Sequence, residues 1–336
     1  MAVSARDVAR VAGVSVSTVS RALSRPDDVA AHTRDRVLAT ARGMGYRPNA
    51  AARTLITGRT GNIGLIVPDI ENPFFASVTK GVQLQARSAG YAVFIADSDE
   101  DPSIERELAR NLAKQVDGLI LCSPRAPGEV LDDLARECTL VLVNRRRGDI
   151  PSVTVDNREG VRQAIGHLRA LGHRRLAYVG GPATSWSNRE RLAAFLELGG
   201  EHEDTEVVDL GFFQPYVSGG VAAGDLALAS GATAVLAYND VVAFGLLERF
   251  RQRGVRVPDD VSVVGTDDIP VSALTSPALT SVGLPLVSSG RAGVDMLLGL
   301  VGDPAAVPVH HHHLAVQLVV RGSTGPRDAA ARPHPG

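Results

Sequence analysis

Two rhythms of apolar residues divide the chain. Over the first sixty positions they recur three or four apart: Val8, Ala9 and Ala12, then Val19 and Leu23, then Val37, Ala41 and Met44. This is the spacing of helices with one buried face. Ser4, three residues before Asp7, has the spacing of a cap for the first helix, and Gly13 ends it. Ser15 is placed to cap a second helix over Val16 to Leu23, with Val14 buried in the turn. A third helix is predicted from Thr33, with Gly45 stopping it. Two short helices joined by a tight glycine-containing turn make a helix-turn-helix.

From Asn62 the rhythm changes to short continuous apolar runs separated by amphipathic stretches. The runs at 63–67, 92–96, 118–122, 140–143, 176–179, 234–237 and 261–265 read as strands, with another at 206–210. Such runs with helices between them predict parallel sheets covered on both faces, and their two groups predict two similar lobes with a cleft between. At 336 residues, 44% of them hydrophobic and 21% charged, the chain has the apolar mass for more than one core. The fold class expected is an N-terminal all-α helix-turn-helix domain followed by a two-lobed α/β domain. The boundaries expected are 1–48 for the head, 49–60 for a hinge helix and linker, 61–325 for the body and 326–336 for a disordered tail.

Charge separates the same two parts. Residues 1–60 hold ten arginines against four acids, a net +6, which leaves −8 for the rest of a chain whose total is −2. A basic head on an acidic body suits a module that binds phosphate. A solvated basic face is the alternative reading of charge alone.

With one face of the second helix buried, Val16, Ser17, Ser20 and Arg21 lie on the other. These are groups that read a major groove: an apolar contact for a thymine methyl, hydroxyls, and a guanidinium for guanine O6 and N7. Thr18 and the helix N-terminus are placed to hold phosphate. Beyond Tyr46-Arg47-Pro48, the segment from Asn49 to Thr57 is capped by Asn49 and stopped by Gly58. Two turns of helix are marginal alone in water. The segment has a purpose if it orders on DNA beside a second copy, with Leu55 as an apolar wedge in the minor groove. An ordinary linker is the alternative.

The runs ARDVARVAGVSVSTVSRAL, YRPNAAARTL and TGNIGLIVPDIENPFF resemble the LacI/GalR family of bacterial transcription regulators. The resemblance covers nearly the whole chain, and nothing in the head departs from the family pattern. It implies that Val16, Ser17 and Arg21 read bases and that a hinge helix, including Asn49, Ala52, Arg53 and Leu55, orders on operator DNA. It also implies that the body is a periplasmic-binding-protein-type effector domain.

In open parallel sheets ligands bind beyond the carboxyl ends of the strands. The residues there are polar or aromatic: Asp69 and Asn72-Pro73-Phe74-Phe75, Asn144-Arg145, the segment from Ser185 to Arg191, Phe213, Asn239-Asp240 and Asp267-Asp268. Carboxylates, carboxamides and arginines around aromatic rings suit a small polyhydroxylated ligand. Singly, each has a plainer reading as a helix cap, turn former or core residue. The resemblance implies that Arg191, Asn239 and Asp267 contact a sugar or nucleobase effector, with Phe75, Phe213 and Arg145 flanking, and Phe74 lies beside them. Thr266 departs from the family, where Tyr or Phe often precedes the acid.

No motif points to an enzyme. Asp69, Asp97, Asp99 and Asp101 lack a nucleophile and base, and no Gly-rich loop cradles a nucleotide, so no cofactor is expected. His310 to His313 are expected in a loop leading into a strand at 314–322, with no metal role, and Cys122 and Cys138 as small apolar residues. No apolar run reaches the roughly 18–20 residues of a membrane span, and the start MAVSARDVAR lacks a secretory apolar region. The expectation is a cytoplasmic, homodimeric or tetrameric repressor that binds double-stranded operator DNA under control of a sugar. An activator, a nucleobase sensor and a solute-binding protein are the alternatives.

Overall fold

The computed structural model describes residues 3–24, 26–46, 59–302 and 311–327. The expected hinge residues Asn49, Ala52, Arg53 and Leu55 lie outside the described residues, as do His310 and the tail from 328. Two compact units emerge, one built on Met1–Asn62 with Gln115–Asp117 and one on the remainder.

The head is three helices, α1 (Ala5–Ala12), α2 (Val16–Ser24) and α3 (Ala31–Gly43). Ser4 and Asp7 form a reciprocal capping box, and Gly13 closes α1 in the left-handed region at φ 65°. Helix α3 begins two residues before the expected Thr33, because the Ala30 carbonyl already accepts the Thr33 and Arg34 amides. The expected apolar positions meet in one core: Val8, Ala9, Ala12, Val19, Ala22, Val37 and Ala41 are buried, with Val14, Leu23 and Met44 packed against them.

The body holds two six-stranded sheets, orders β11-β5-β4-β3-β1-β2 and β12-β10-β9-β8-β6-β7. Lobe 1 contains β1 (Asn62–Val67), β2 (Ala92–Asp97), β3 (Leu119–Cys122), β4 (Leu140–Val143), β5 (Ser152–Val155) and β11 (His311–Leu314). Lobe 2 contains β6 (Arg175–Gly180), β7 (Glu206–Phe212), β8 (Ala234–Ala237), β9 (Ser262–Asp267), β10 (Thr280–Gly283) and β12 (Gln317–Val319). In lobe 1, Ile63, Leu65 and Val67 share a core with helices α4 (Pro73–Ser88) and α11 (Leu286–Gly302). The intervening Gly64 lies close to Leu112 of α5 (Pro102–Ala113) on the opposite face. Helix α6 (Gly128–Glu137) also belongs to this lobe. In lobe 2, α9 (Val217–Ala229) and α10 (Asp240–Gln252) cover one face, and α7 (Asn157–Ala170) and α8 (Trp186–Gly200) the other. Strands buried on both faces explain the continuous apolar runs.

Small residues let helices touch at matching places in the two lobes. A Cβ on Gly81 of α4 would stand 2.1 Å from the Val287 carbonyl oxygen of α11, and one on Gly220 of α9 2.0 Å from that of Val242 in α10. Only glycine permits either approach.

The chain passes between lobes three times: from β5 into α7, from β10 into α11, and from β11 into β12. The Asp156 amide donates to the Leu314 carbonyl at 3.1 Å, tying the first crossing to the third. This corrects the expectation of one strand over 314–322 preceded by a histidine loop. His311 to His313 are themselves strand, parallel to β5, with His311 Nδ1 2.8 Å from Ser152 Oγ. The run then breaks at Ala315-Val316, and Gln317–Val319 joins the other sheet, antiparallel to β10. Order also reaches past 325, the Arg327 amide donating to the Leu171 carbonyl at 2.7 Å.

Candidate functional site

In the head, Ser15 Oγ accepts the Thr18 amide at 3.1 Å and lies 2.7 Å from Ser17 Oγ and 2.8 Å from Thr18 Oγ1, which fixes the start of α2. Val19 and Ala22 turn inward. Val16, Ser17 and Arg21 are exposed, and Thr18 and Ser20 are half-buried beside them. Arg21 folds back, its Nε donating to the Ser17 carbonyl at a long 3.4 Å. A weak local bond on an exposed guanidinium leaves a long, flexible side chain able to reach a base edge.

In the body, the polar residues gather where the strands end. The six non-glycine residues with left-handed backbone among those described are Asp99 and Glu100 after β2, Ser123 after β3, Asn144 after β4, and Asp267 and Asp268 at the end of β9. Such backbone is costly, and in these sheets it is concentrated at the carboxyl ends of the strands. Between the lobes there, Asn72, Phe74, Phe75, Glu100, Ser123, Arg125 and Asn144 of lobe 1 face Arg191, Pro215, Tyr238, Asn239 and Asp267 of lobe 2 around a cavity closed down to water size.

Each wall has its own chemistry. On lobe 1, the Arg125 guanidinium is clasped by both Glu100 oxygens, NH2 to Oε1 at 2.8 Å, and also donates to the Ser123 carbonyl at 2.8 Å. Buried Glu105 holds that loop by accepting the Arg125 and Ala126 amides at 2.8 and 3.0 Å, and burial raises its pKa. Asn144 donates to Ser123 Oγ at 2.8 Å. On lobe 2, Arg191 lies over the Tyr238 ring at 4.9 Å with an unpartnered Nε. The Asp267 carboxyl is pushed well above its ordinary range by burial and then by Asp240, with Arg191 opposing. Asn239 caps α10 by accepting the Val242 amide at 2.8 Å, and its carboxamide nitrogen reaches the Pro215 carbonyl at 3.5 Å. The plainer reading of Asn239 as a cap therefore holds alongside its place on the cavity wall.

Five of the seven expected effector residues, Phe74, Phe75, Arg191, Asn239 and Asp267, line this cavity. Phe213 does not. The pairing of β6 with β7 shifts between Tyr178 and Gly180, and Phe213 lies in a surface groove with Pro182, Ala183 and Gln214, while Pro215 reaches the cavity instead. Arg145 is buried just behind the wall, donating to the Pro124 carbonyl at 2.7 Å. Phe74 and Phe75 pack on each other edge to face, centroids 4.9 Å apart. Glu100, Ser123, Arg125 and Tyr238 escaped the reading of the sequence, although Ser123, Arg125 and Tyr238 follow strands that it identified.

The remaining acids have structural duties. Asp97 accepts the Ile70 and Asp99 amides at 2.7 and 2.8 Å, Asp101 caps α5 through the Ser103 amide at 2.7 Å, and Asp69 accepts the Glu71 amide at 2.8 Å. Among the described residues no group of three or more His, Cys, Asp or Glu is arranged to hold a metal, and no helix is long and apolar enough to cross a membrane.

Comparison with known proteins finds relatives of both parts of the chain. The model of bacterial regulatory proteins of the lacI family matches residues 4–49, and that of a periplasmic binding protein-like domain residues 165–324. The chain is 34% identical over 307 residues to the HTH-type transcriptional repressor PurR of Photobacterium profundum, covering 89% of this chain and 92% of that protein. The crystal structure of the lac repressor dimer bound to operator and the anti-inducer ONPF matches with a TM-score of 0.83 and 28% identity, covering 97% of this chain and 100% of that one. A LacI family transcriptional regulator of Enterococcus faecalis with bound ribose matches with a TM-score of 0.72 and 26% identity, over 80% of this chain and 100% of that one. With a three-helix reading head, a two-lobed body and relatives of this identity along nearly its whole length, the chain belongs to the LacI family of bacterial regulatory proteins.

Proposed function

We propose that the protein is a homodimeric repressor that acts in the cytoplasm, binds a pseudo-palindromic operator through paired heads, and releases or tightens its grip when a sugar enters the cleft between lobes. The observation that carries this reading is the coexistence, in one chain, of an exposed recognition face on α2 and an inter-lobe cavity walled by polar strand ends. Val16, Ser17 and Arg21 read bases, Thr18 and Ser20 support the contact, and Asn49, Ala52, Arg53 and Leu55 form the hinge that meets the minor groove. The regulatory relatives, a repressor and an operator-bound repressor among them, support regulation rather than catalysis.

A sugar suits the cleft. The carboxyl, carboxamide and guanidinium groups of Asp267, Asn239 and Arg191 are the bidentate partners that paired hydroxyls require. Filling the cleft changes the balance of lobe closure, and a coupling of about 1–3 kcal/mol to DNA binding makes a useful switch.

The test is fluorescence anisotropy of the full-length protein on duplexes from its own promoter region, with a panel of sugars. A duplex bound at least 100-fold tighter than random DNA, with at least a fivefold change by one sugar that Asp267→Ala abolishes, is the expected result. Indifference to all duplexes, or operator binding that no sugar alters, overturns the proposal.

A further inference from the structure

Three arginines are more than nine-tenths buried near the lobe junction, and each has an acid in its surroundings. Arg125 is held by Glu100, and Arg191 lies in the field of Asp267. Arg145 has one hydrogen bond among the described residues, from NH1 to the Pro124 carbonyl, and its Nε, like that of Arg191, has no partner. Glu105 contributes a field at Arg145, but its two oxygens are engaged by the Arg125 and Ala126 amides. Burial and then the Arg189 guanidinium lower the Arg145 pKa to about 10. A buried cation without a hydrogen-bonded anion is costly.

The surroundings indicate what would complete it. Arg145 follows Asn144, a residue of the cavity wall, and its anchor carbonyl lies between the wall residues Ser123 and Arg125. Across the junction stands the first turn of α8, whose Ser187 hydroxyl reaches Asn144 Oδ1 at 3.0 Å. Two residues further along α8, Arg189 is bound, among the described residues, to the Ala183 and Thr184 carbonyls at 3.0 and 3.3 Å and to no carboxylate. The start of α8 and two guanidiniums from opposite lobes, neither hydrogen-bonded to a carboxylate among the described residues, thus stand near the junction.

We infer that the effector carries an acidic group, a phosphate or a carboxylate on a polyol, and that this oxyanion sits between Arg145 of lobe 1 and the start of α8 with Arg189 of lobe 2. The inference rests on the reading of the cleft as a sugar site and narrows it. The oxyanion replaces repulsion between two cations by attraction to both, so it draws the lobes together. A neutral sugar fills the wall of Asp267 and Asn239 but leaves Arg145 uncompensated.

Isothermal titration of the full-length protein with matched pairs tests this: ribose and ribose 5-phosphate, glucose and glucose 6-phosphate, glucose and gluconate, with inorganic phosphate as competitor. One acidic member is expected to bind at least 100-fold tighter than its neutral parent, and whether it is the phosphate or the carboxylate identifies the source. Arg145→Met is expected to reduce that preference to below tenfold, and Arg145→Lys to retain part of it. A neutral parent that binds as tightly as its acidic partner overturns the inference while leaving the sugar reading intact. The same preference surviving in Arg145→Met also overturns it. Binding of no polyol of either kind removes the sugar reading as well.

Discussion

The Ser187 hydroxyl donates to Asn144 Oδ1 at 3.0 Å, and the two residues belong to different lobes. Asn144 in turn donates to Ser123 Oγ at 2.8 Å, so the start of α8 is tied to the ends of β4 and β3. Such a bond contributes about 0.5–1.5 kcal/mol to closure. Ser187→Ala is therefore expected to weaken effector binding by about 2- to 12-fold. Asn144→Ala should do at least as much, and the double variant should be no worse than the stronger single one. A calorimetric double-mutant cycle reads the coupling, and strictly additive losses would show that the bond does not hold the lobes.

Arg21 is exposed on the face of α2 opposite Val19 and Ala22, so its removal leaves the head core intact. Arg21→Ala is expected to cost about 1–3 kcal/mol at one guanine of the operator while changing affinity for random duplex much less. Binding measured over a set of single-base operator variants distinguishes this from a phosphate clamp, for which the loss is uniform.

Asp240 links acidity to stability. It is fully buried, accepts from the Ile269 amide at 2.9 Å and from the Ser272 and Ser281 hydroxyls at 2.6 Å each, and burial raises its pKa to about 6. Between its ordinary value of 3.8 and about 6, the folded chain keeps a proton that the unfolded chain releases. The stabilisation from this proton is therefore complete below the ordinary value and is lost as pH rises through about 6. From pH 5 to 7.5, wild type is expected to lose about 1 kcal/mol relative to Asp240→Asn in urea unfolding. Parallel pH profiles for the two proteins would remove Asp240 as the cause.

Two glycine substitutions on helices should have opposite signs. Gly81→Ala forces a Cβ against the Val287 carbonyl between α4 and α11 and is expected to cost about 2–3 kcal/mol. Gly166→Ala, on α7, meets nothing within 4 Å and is expected to stabilise by up to about 1 kcal/mol through helix propensity. Urea midpoints of the two variants check both.

The fold was legible where a local pattern matched its final surroundings. Val8, Ala9, Ala12 and Val19 had helical spacing and share a core; Leu119 to Cys122 formed an apolar run and became a strand covered on both sides. The strand at Ser152–Val155 went unseen because half its residues are hydroxylic. Their pairing with His311 and His313 is a contact across more than 150 positions that no local rhythm records. The site was legible through a topological rule, which located Asn239 and Asp267 at strand ends. It was illegible where the cavity depends on pairs distant in sequence: nothing local marks Glu100 as the partner of Arg125, or Tyr238 as the ring that Arg191 covers.

The threefold passage between sheets sets an order of assembly on the ribosome. By Gly283 lobe 2 has five of its six strands, whereas lobe 1, although begun first, still lacks α11 and its edge strand β11 until Leu314 has emerged. A nascent chain therefore carries β5 with an open hydrogen-bonding edge while the later-encoded half is nearly finished. The half that is translated first is sealed only a few residues before the half translated second, and a ribosome stalled between Gly283 and Leu314 leaves it gaping.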